Sequence, residues 1–204
     1  ADPRDTLIGG DAGGLDALPK GAVVGTASIR RQSQILHRRP DLRVVPFRGN
    51  VQTRLRKLSE KQADVTLLAQ AGLDRLGLAM GAVLAPEDLL PAVAQGAIGV
   101  EIRASDDYAR GLLARLDDRP TTIVVDAERA VLAALDGSCR TPIASLALLT
   151  GGQVHLRALV ATPDGTMLWQ AERRVAASDA VQAGRDAGEE LRRSAGDRIA
   201  LLTG

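Results

Sequence analysis

Arginines stand where strands are expected to turn into helices, and that placement is the first chemical signal in the sequence. Gly25-Thr26-Ala27-Ser28-Ile29-Arg30-Arg31 offers two hydroxyls, two guanidinium groups and the free N–H groups of a helix start, a combination suited to an anion. The same residues also suit a plain helix cap with solvated cations. Phe47-Arg48-Gly49-Asn50-Val51-Gln52-Thr53-Arg54 repeats the arrangement, and Arg75 in Gly72-Leu73-Asp74-Arg75-Leu76-Gly77 adds a third junction. From Arg30 to Lys57 nine cations face one acid, Asp41, so the segment carries +8 within a chain of net charge +1. Such a field attracts phosphate, polycarboxylate or nucleic acid. The cations follow turn positions without interleaved aromatics, which argues against a stacking surface for single-stranded nucleic acid. Nearly all are arginine; Lys20, Lys57 and Lys61 are the only lysines among 26 cations. Arginine presents a planar fork that fits carboxylate or phosphate.

Cys139 is the single cysteine, in Gly137-Ser138-Cys139-Arg140-Thr141-Pro142. A lone cysteine reads by default as a small buried apolar residue. Here a Gly-Ser turn and the adjacent Arg140 favour exposure and thiolate, the state required for nucleophilic attack or covalent attachment. Both readings stay open on the residues alone. One cysteine excludes an internal disulfide framework, and two distant histidines, His37 and His155, leave little for a metal.

The elements that position these residues follow from pattern. Short apolar runs at 22–25, 42–47 and 64–69 read as strands, each leading into a helix: 29–39 ended by Pro40, one from Val51, and a short one from Ala71. Strands alternating with helices imply parallel βαβ units. The stretch 84–93, with Pro86 and Pro91, reads as a linker, 97–102 as one more strand, and 106–116 as an amphipathic helix. Past a boundary at 117–120 come a helix at 126–135, strands near 145–149, 154–160 and 167–173, and a helix at 179–202. The expected fold is therefore an α/β domain with a parallel or mixed sheet, followed by a small α+β domain with a three-stranded antiparallel sheet. With 204 residues, 45% apolar and 25% charged, the chain has ordinary globular composition. No apolar run approaches the roughly 20 residues of a membrane helix, and the opening residues do not read as a signal peptide, so a cytoplasmic protein is expected.

Five blocks in one order resemble the porphobilinogen deaminase (hydroxymethylbilane synthase) family. They are Gly25 to Gln32, Leu42 to Leu58 around Arg48-Gly49-Asn50-Val51, Ala71 to Gly77, Leu90 to Glu101, and Glu128-Arg129-Ala130 with Gly137 to Ile143. The resemblance implies a monomeric three-domain transferase of haem and tetrapyrrole synthesis, whose first two domains are like a periplasmic binding protein. A dipyrromethane cofactor is held by a thioether, by position at Cys139. Porphobilinogen units are added to it with loss of ammonia, and hydroxymethylbilane is released by hydrolysis. By motif, the arginines that bind the acetate and propionate groups fall on Arg30, Arg31, Arg48, Arg54 and Arg75, with Ser28 beside them. Residues 1–92 then correspond to the second domain, 93–118 to a segment returning to the first, and 119–204 to the third. Most of the first domain, with its catalytic aspartate, would lie upstream, so activity of this chain alone is doubtful and self-association is expected. The competing reading is a non-catalytic α/β module that binds phosphate or an organic acid.

Overall fold

Alternation of short β-branched strands with amphipathic helices produces the first half of the chain, as a computed structural model describing residues 1–10, 13–138 and 141–199 lays out. Strands β1 (Asp5–Ile8), β2 (Val23–Gly25), β3 (Arg43–Val45), β4 (Val65–Ala69) and β5 (Ala82–Val83) form one sheet in the order β3-β2-β4-β1-β5. β2 runs parallel to β3 and β4, whereas β1 is antiparallel to β4 and β5, which makes the sheet mixed. The helices following the parallel strands are α1 (Ile29–Arg38), α2 (Val51–Ser59) and α3 (Gln70–Arg75). Leu7, Val24, Ile35, Val65 and Leu67 are buried in the core between sheet and helices. β1 has no counterpart in the sequence reading, although all four of its residues are buried, between β4 and β5.

The stretch 84–93 has no regular element, as a linker should, yet it is a packed strap. Leu84 and Leu89 enter the first core, and Leu90 joins Ala144, Leu146 and Leu159 of the following domain. The strand expected at 97–102 is not formed: Ile98 is 75% and Val100 64% exposed, and no neighbouring strand pairs with their backbone. α4 (Asp107–Leu113) follows, capped by Asp106, whose carboxylate accepts from the Ala109 N–H.

The second unit opens with α5 (Arg119–Ala134), longer than the sequence pattern indicated. Residues 117–120 are its start: Asp118 caps it and Pro120 sits in the first turn, where a missing N–H costs nothing. β6 (Ile143–Thr150), β7 (Gln153–Ala161) and β8 (Leu168–Ala176) form an antiparallel sheet in that order, and α6 (Ala180–Ala195) closes over it. Among the described residues no helix is long and apolar enough to cross a membrane.

α5 and α6 approach closely because α6 presents Gly184 and Gly188 to α5. A Cβ on Gly184 would collide with the Ala127 carbonyl oxygen and lie 2.9 Å from the Ala130 Cβ. Gly184→Ala should therefore destabilise the protein by about 1–3 kcal/mol, the cost of overpacking. Gly111 on α4 has nothing within 4 Å of such a Cβ, and Gly111→Ala should instead stabilise by up to about 1 kcal/mol through helix propensity. Urea titration of both variants checks the opposite signs.

Candidate functional site

Because β2, β3 and β4 are parallel, the β2–α1, β3–α2 and β4–α3 junctions share one edge of the sheet, where open α/β sheets bind ligands. At the first junction Ser28 caps α1, its hydroxyl accepting from the Arg31 N–H, and Thr26 accepts from the Ser28 N–H. At the second, Asn50 caps α2 by accepting from the Thr53 N–H.

Arg30 and Arg31 do not project into solvent. Both are buried against Asp5, whose side chain is fully enclosed. β1, running antiparallel, brings Asp5 opposite Ala69 at the same sheet edge. Its Oδ2 accepts from Arg30 Nη2 at 2.8 Å and its Oδ1 from Arg31 Nη2 at 2.7 Å. Arg30 Nη1 also donates to the Leu90 carbonyl and Arg31 Nη1 to the Leu67 carbonyl. Gln95 donates to Asp5 and accepts weakly from Arg30. Two guanidinium groups on one carboxylate leave a buried net charge of +1. Burial alone would raise the Asp5 pKa, but the two arginine charges and their hydrogen bonds outweigh it and hold the carboxyl below its ordinary value. Burial lowers the Arg30 pKa, with Asp5 opposing. Arg31 Nε is buried with no hydrogen-bond partner among the described residues.

Arg54 joins this cluster. Half-buried, it donates from Nε to the Gly49 carbonyl, and its Nη1 reaches the Leu67 carbonyl that Arg31 also uses. Burial and the neighbouring Arg31 charge lower its pKa. Arg48 stands exposed at the second junction, and Arg75 exposed in the last turn of α3, both outside the buried cluster. The structure thus gathers Ser28, Arg30, Arg31 and Arg54 and leaves Arg48 and Arg75 on the surface. Arg38 and Arg39, further along α1, are tied to Asp16 and Asp88 and to Asp41 and the Leu15 and Leu18 carbonyls.

A cavity of about 340 Å³ lies beside the cluster, between Ser28, Arg30, Arg31 and Gln95 on one wall and Ser138, Thr141 and Ile143 on the other. The second wall lies between α5 and β6, where Thr141 Oγ1 accepts from the Ser138 N–H and donates to its carbonyl. Cys139 and its neighbour Arg140 lie outside the described residues; Ser138 and Thr141 bracket them in sequence.

Sequence reasoning missed Asp5, Gln95 and Glu128 as site residues. Glu128, on α5 and 4% exposed, accepts from the Ala94 N–H at 2.7 Å and the Ala147 N–H at 2.8 Å. It thereby joins the strap beside Gln95 to β6. Burial pushes its pKa up to about 7, against those two hydrogen bonds.

Two predictions follow from these carboxylates. Asp5→Asn leaves two buried guanidinium groups without a counter-charge and should cost about 3–5 kcal/mol, measured by chemical denaturation at neutral pH. Glu128, with a folded pKa raised above its unfolded value, binds more protons folded than unfolded between about pH 4.5 and 7. Its contribution is full below that range and is lost as pH rises through about 7, by up to roughly 3 kcal/mol at about 1.4 kcal/mol per pK unit. Glu128→Gln should flatten this slope, at a constant cost from its amide facing one N–H. An unchanged slope in denaturation midpoints between pH 4.5 and 8 would refute the assignment.

Against known proteins, residues 1–111 match the family model described as porphobilinogen deaminase, dipyromethane cofactor binding domain, and residues 122–193 match porphobilinogen deaminase, C-terminal domain. The chain is 48% identical to the porphobilinogen deaminase of Nitrobacter hamburgensis over 203 residues, covering 98% of this chain and 64% of that protein. It is 52% identical to that of Paracoccus denitrificans over 194 residues, covering 94% and 62%. With that of Sorangium cellulosum the identity is 50% over 198 residues, covering 94% and 66%. The chain thus spans less than two thirds of the length of the Nitrobacter hamburgensis relative.

Proposed function

The chain belongs to the porphobilinogen deaminase family, and we propose that it is the cofactor-holding part of a transferase that condenses porphobilinogen into hydroxymethylbilane. The observation that carries the reading is a cavity with a basic wall at Ser28, Arg30 and Arg31 and an opposite wall at Ser138 and Thr141. A non-catalytic anion-binding module is not favoured, because the matched family model is described by a cofactor.

The residues present fit a dipyrromethane. Its acetate and propionate groups need several fork-shaped donors in one place, and bidentate arginine–carboxylate pairs are the strong ones. Arg31 contributes a single N–H, its Nε, which has no partner among the described residues; the N-terminus of α1 adds backbone donors at the wall of a cavity of ligand size, and the half-buried Arg54 adds a guanidinium close to Arg31. Cys139 would hold the group by a thioether from Sγ, with Ser28, Arg30, Arg31 and Arg54 on its carboxylates and Arg48 and Arg75 at the rim. When bound, dipyrromethane supplies the anchored end to which porphobilinogen units are joined.

This chain's own residues then bind and orient. Asp5 fixes the directions of Arg30 and Arg31 before any ligand arrives, and Gln95 keeps Asp5 in place. The Leu67 carbonyl draws Arg31 and Arg54 together, concentrating positive charge for paired carboxylates. Arg30 is more enclosed, and its fork already serves Asp5 and Leu90, so its role is as much to hold the fold as to bind.

In this reading residues 93–118 return to a domain supplied by upstream sequence. The exposed apolar side chains Ile98, Val100, Leu112 and Leu116 support it.

Intact mass tests the cofactor assignment. The protein expressed in full should carry covalent dipyrromethane and lose it in Cys139→Ser, with the third domain still folded by circular dichroism. Arg31→Leu and Arg54→Leu should each weaken pyrrole-carboxylate binding by about 1.5–3 kcal/mol. An adduct retained in the serine variant would sink the assignment.

A further inference from the structure

The β7–β8 hairpin tip, residues 162–167, packs on the flank of α1 through a buried Gly165, with Asp164 and Thr166 exposed on either side. Gly165 meets the helix backbone directly: a Cβ there would collide with the His37 nitrogen and fall 2.7 Å from both the Leu36 carbonyl carbon and the Ser33 oxygen. Its φ of +73° lies in the left-handed region, so both conformation and space demand glycine. Two hydrogen bonds complete the contact. Gln32 Nε2 donates to the Pro163 carbonyl at 3.0 Å, and His37 Nδ1–H donates to the Gly165 carbonyl at 2.9 Å. The tip is preshaped by its own bonds, from the Gly165 N–H to the Thr162 carbonyl and from Thr166 to the Asp164 carboxylate.

Both ends of this contact lead to the cavity. α1 carries Ser28, Arg30 and Arg31 at its N-terminus, on one wall. In the hairpin, Ala161 precedes the tip and donates from its N–H to the Pro142 carbonyl at 3.1 Å. Pro142 directly follows Thr141, which with Ser138 forms the other wall. The tip therefore connects the helix that aims the arginines to Pro142 and Thr141, through close backbone packing at Gly165 and three hydrogen bonds.

We propose that Gly165, with Gln32 and His37, is a positioning latch that fixes the distance from Ser138 and Thr141 to the arginine cluster. Its functional consequence rests on the reading of Cys139 as the cofactor attachment point. A cofactor anchored on one wall and bound through its carboxylates on the other needs that span held, since small misplacements slow such reactions sharply.

The test measures the separation of the two units that carry these walls. Spin labels go at Gln52→Cys on α2 and Arg174→Cys on β8, both exposed, in a Cys139→Ser chain that has no other thiol. The parent should give one narrow distance distribution by pulsed electron resonance. Gly165→Ala should broaden or shift it by several ångström, with helix and strand content unchanged. Gln32→Ala/His37→Ala should do the same and decides the matter if Gly165→Ala does not fold. Gly151→Ala, at a φ of +57° in the other hairpin with nothing within 4 Å, controls for turn strain and should match the parent. With Cys139 retained in the protein expressed in full, both latch variants should slow covalent pyrrole attachment roughly tenfold or more. Distributions that superimpose on the parent overturn the latch; a shifted span with unaltered attachment overturns its positioning role. Absence of pyrrole from the unmutated protein would instead count against the functional reading, leaving the distances to judge the latch.

Discussion

One carboxylate organises this molecule. Asp5 is enclosed at the sheet edge and is answered by two guanidinium groups from adjacent positions on α1. Removing a charge from water costs several kcal/mol, and only short, well-directed bonds offset it. That requirement explains several features at once. β1 must run against its neighbours to bring Asp5 to the edge where α1 begins. The α1 start must be held by Ser28, and the Leu67 and Leu90 carbonyls must lie where the remaining arginine N–H groups point. An isolated anion-binding helix start needs none of this; a pair of arginines held in fixed directions needs all of it.

The strap from Leu84 to Gln95 extends this order to the second unit. Pro91 accepts from the Ser145 N–H and Glu128 from the Ala147 N–H, so the free edge of β6 is occupied by protein acceptors. An uncovered edge is a template for pairing with another chain. Ala94 has φ of +58°, unusual outside glycine, and its N–H is bonded to Glu128. A single buried carboxylate therefore stabilises a strained turn, covers an edge and places Gln95 beside Asp5.

Much of this was legible in the sequence. Short apolar runs and helical spacing located β2, β3, β4 and the three helices after them, and parallel pairing brought Ser28, Arg30, Arg31 and Arg54 to one edge. β1 was hidden because Asp5-Thr6 opens it with polar residues, and an acid alone does not announce two arginine partners 25 and 26 positions away. Residues 97–102 misled for the opposite reason: Ala-Ile-Gly-Val-Glu-Ile has strand propensity, but a strand exists only where another supplies its hydrogen bonds. Arg48 and Arg75 resembled the other cations in spacing, and only tertiary structure separates those with buried acceptors from those without.

The separation of the arginines into two populations has a consequence for ionic strength. Arg48 and Arg75 are exposed, and at physiological salt their field fades within about 8 Å. Arg30 and Arg31 are enclosed by low-polarity protein, where mobile ions do not enter and screening is weak. Exposed cations of this kind govern how fast an anionic molecule is captured from solution, and enclosed ones how firmly it is kept. For the proposed pyrrole carboxylates, salt would therefore act on arrival far more than on retention, so that capture and grip would respond to the medium independently.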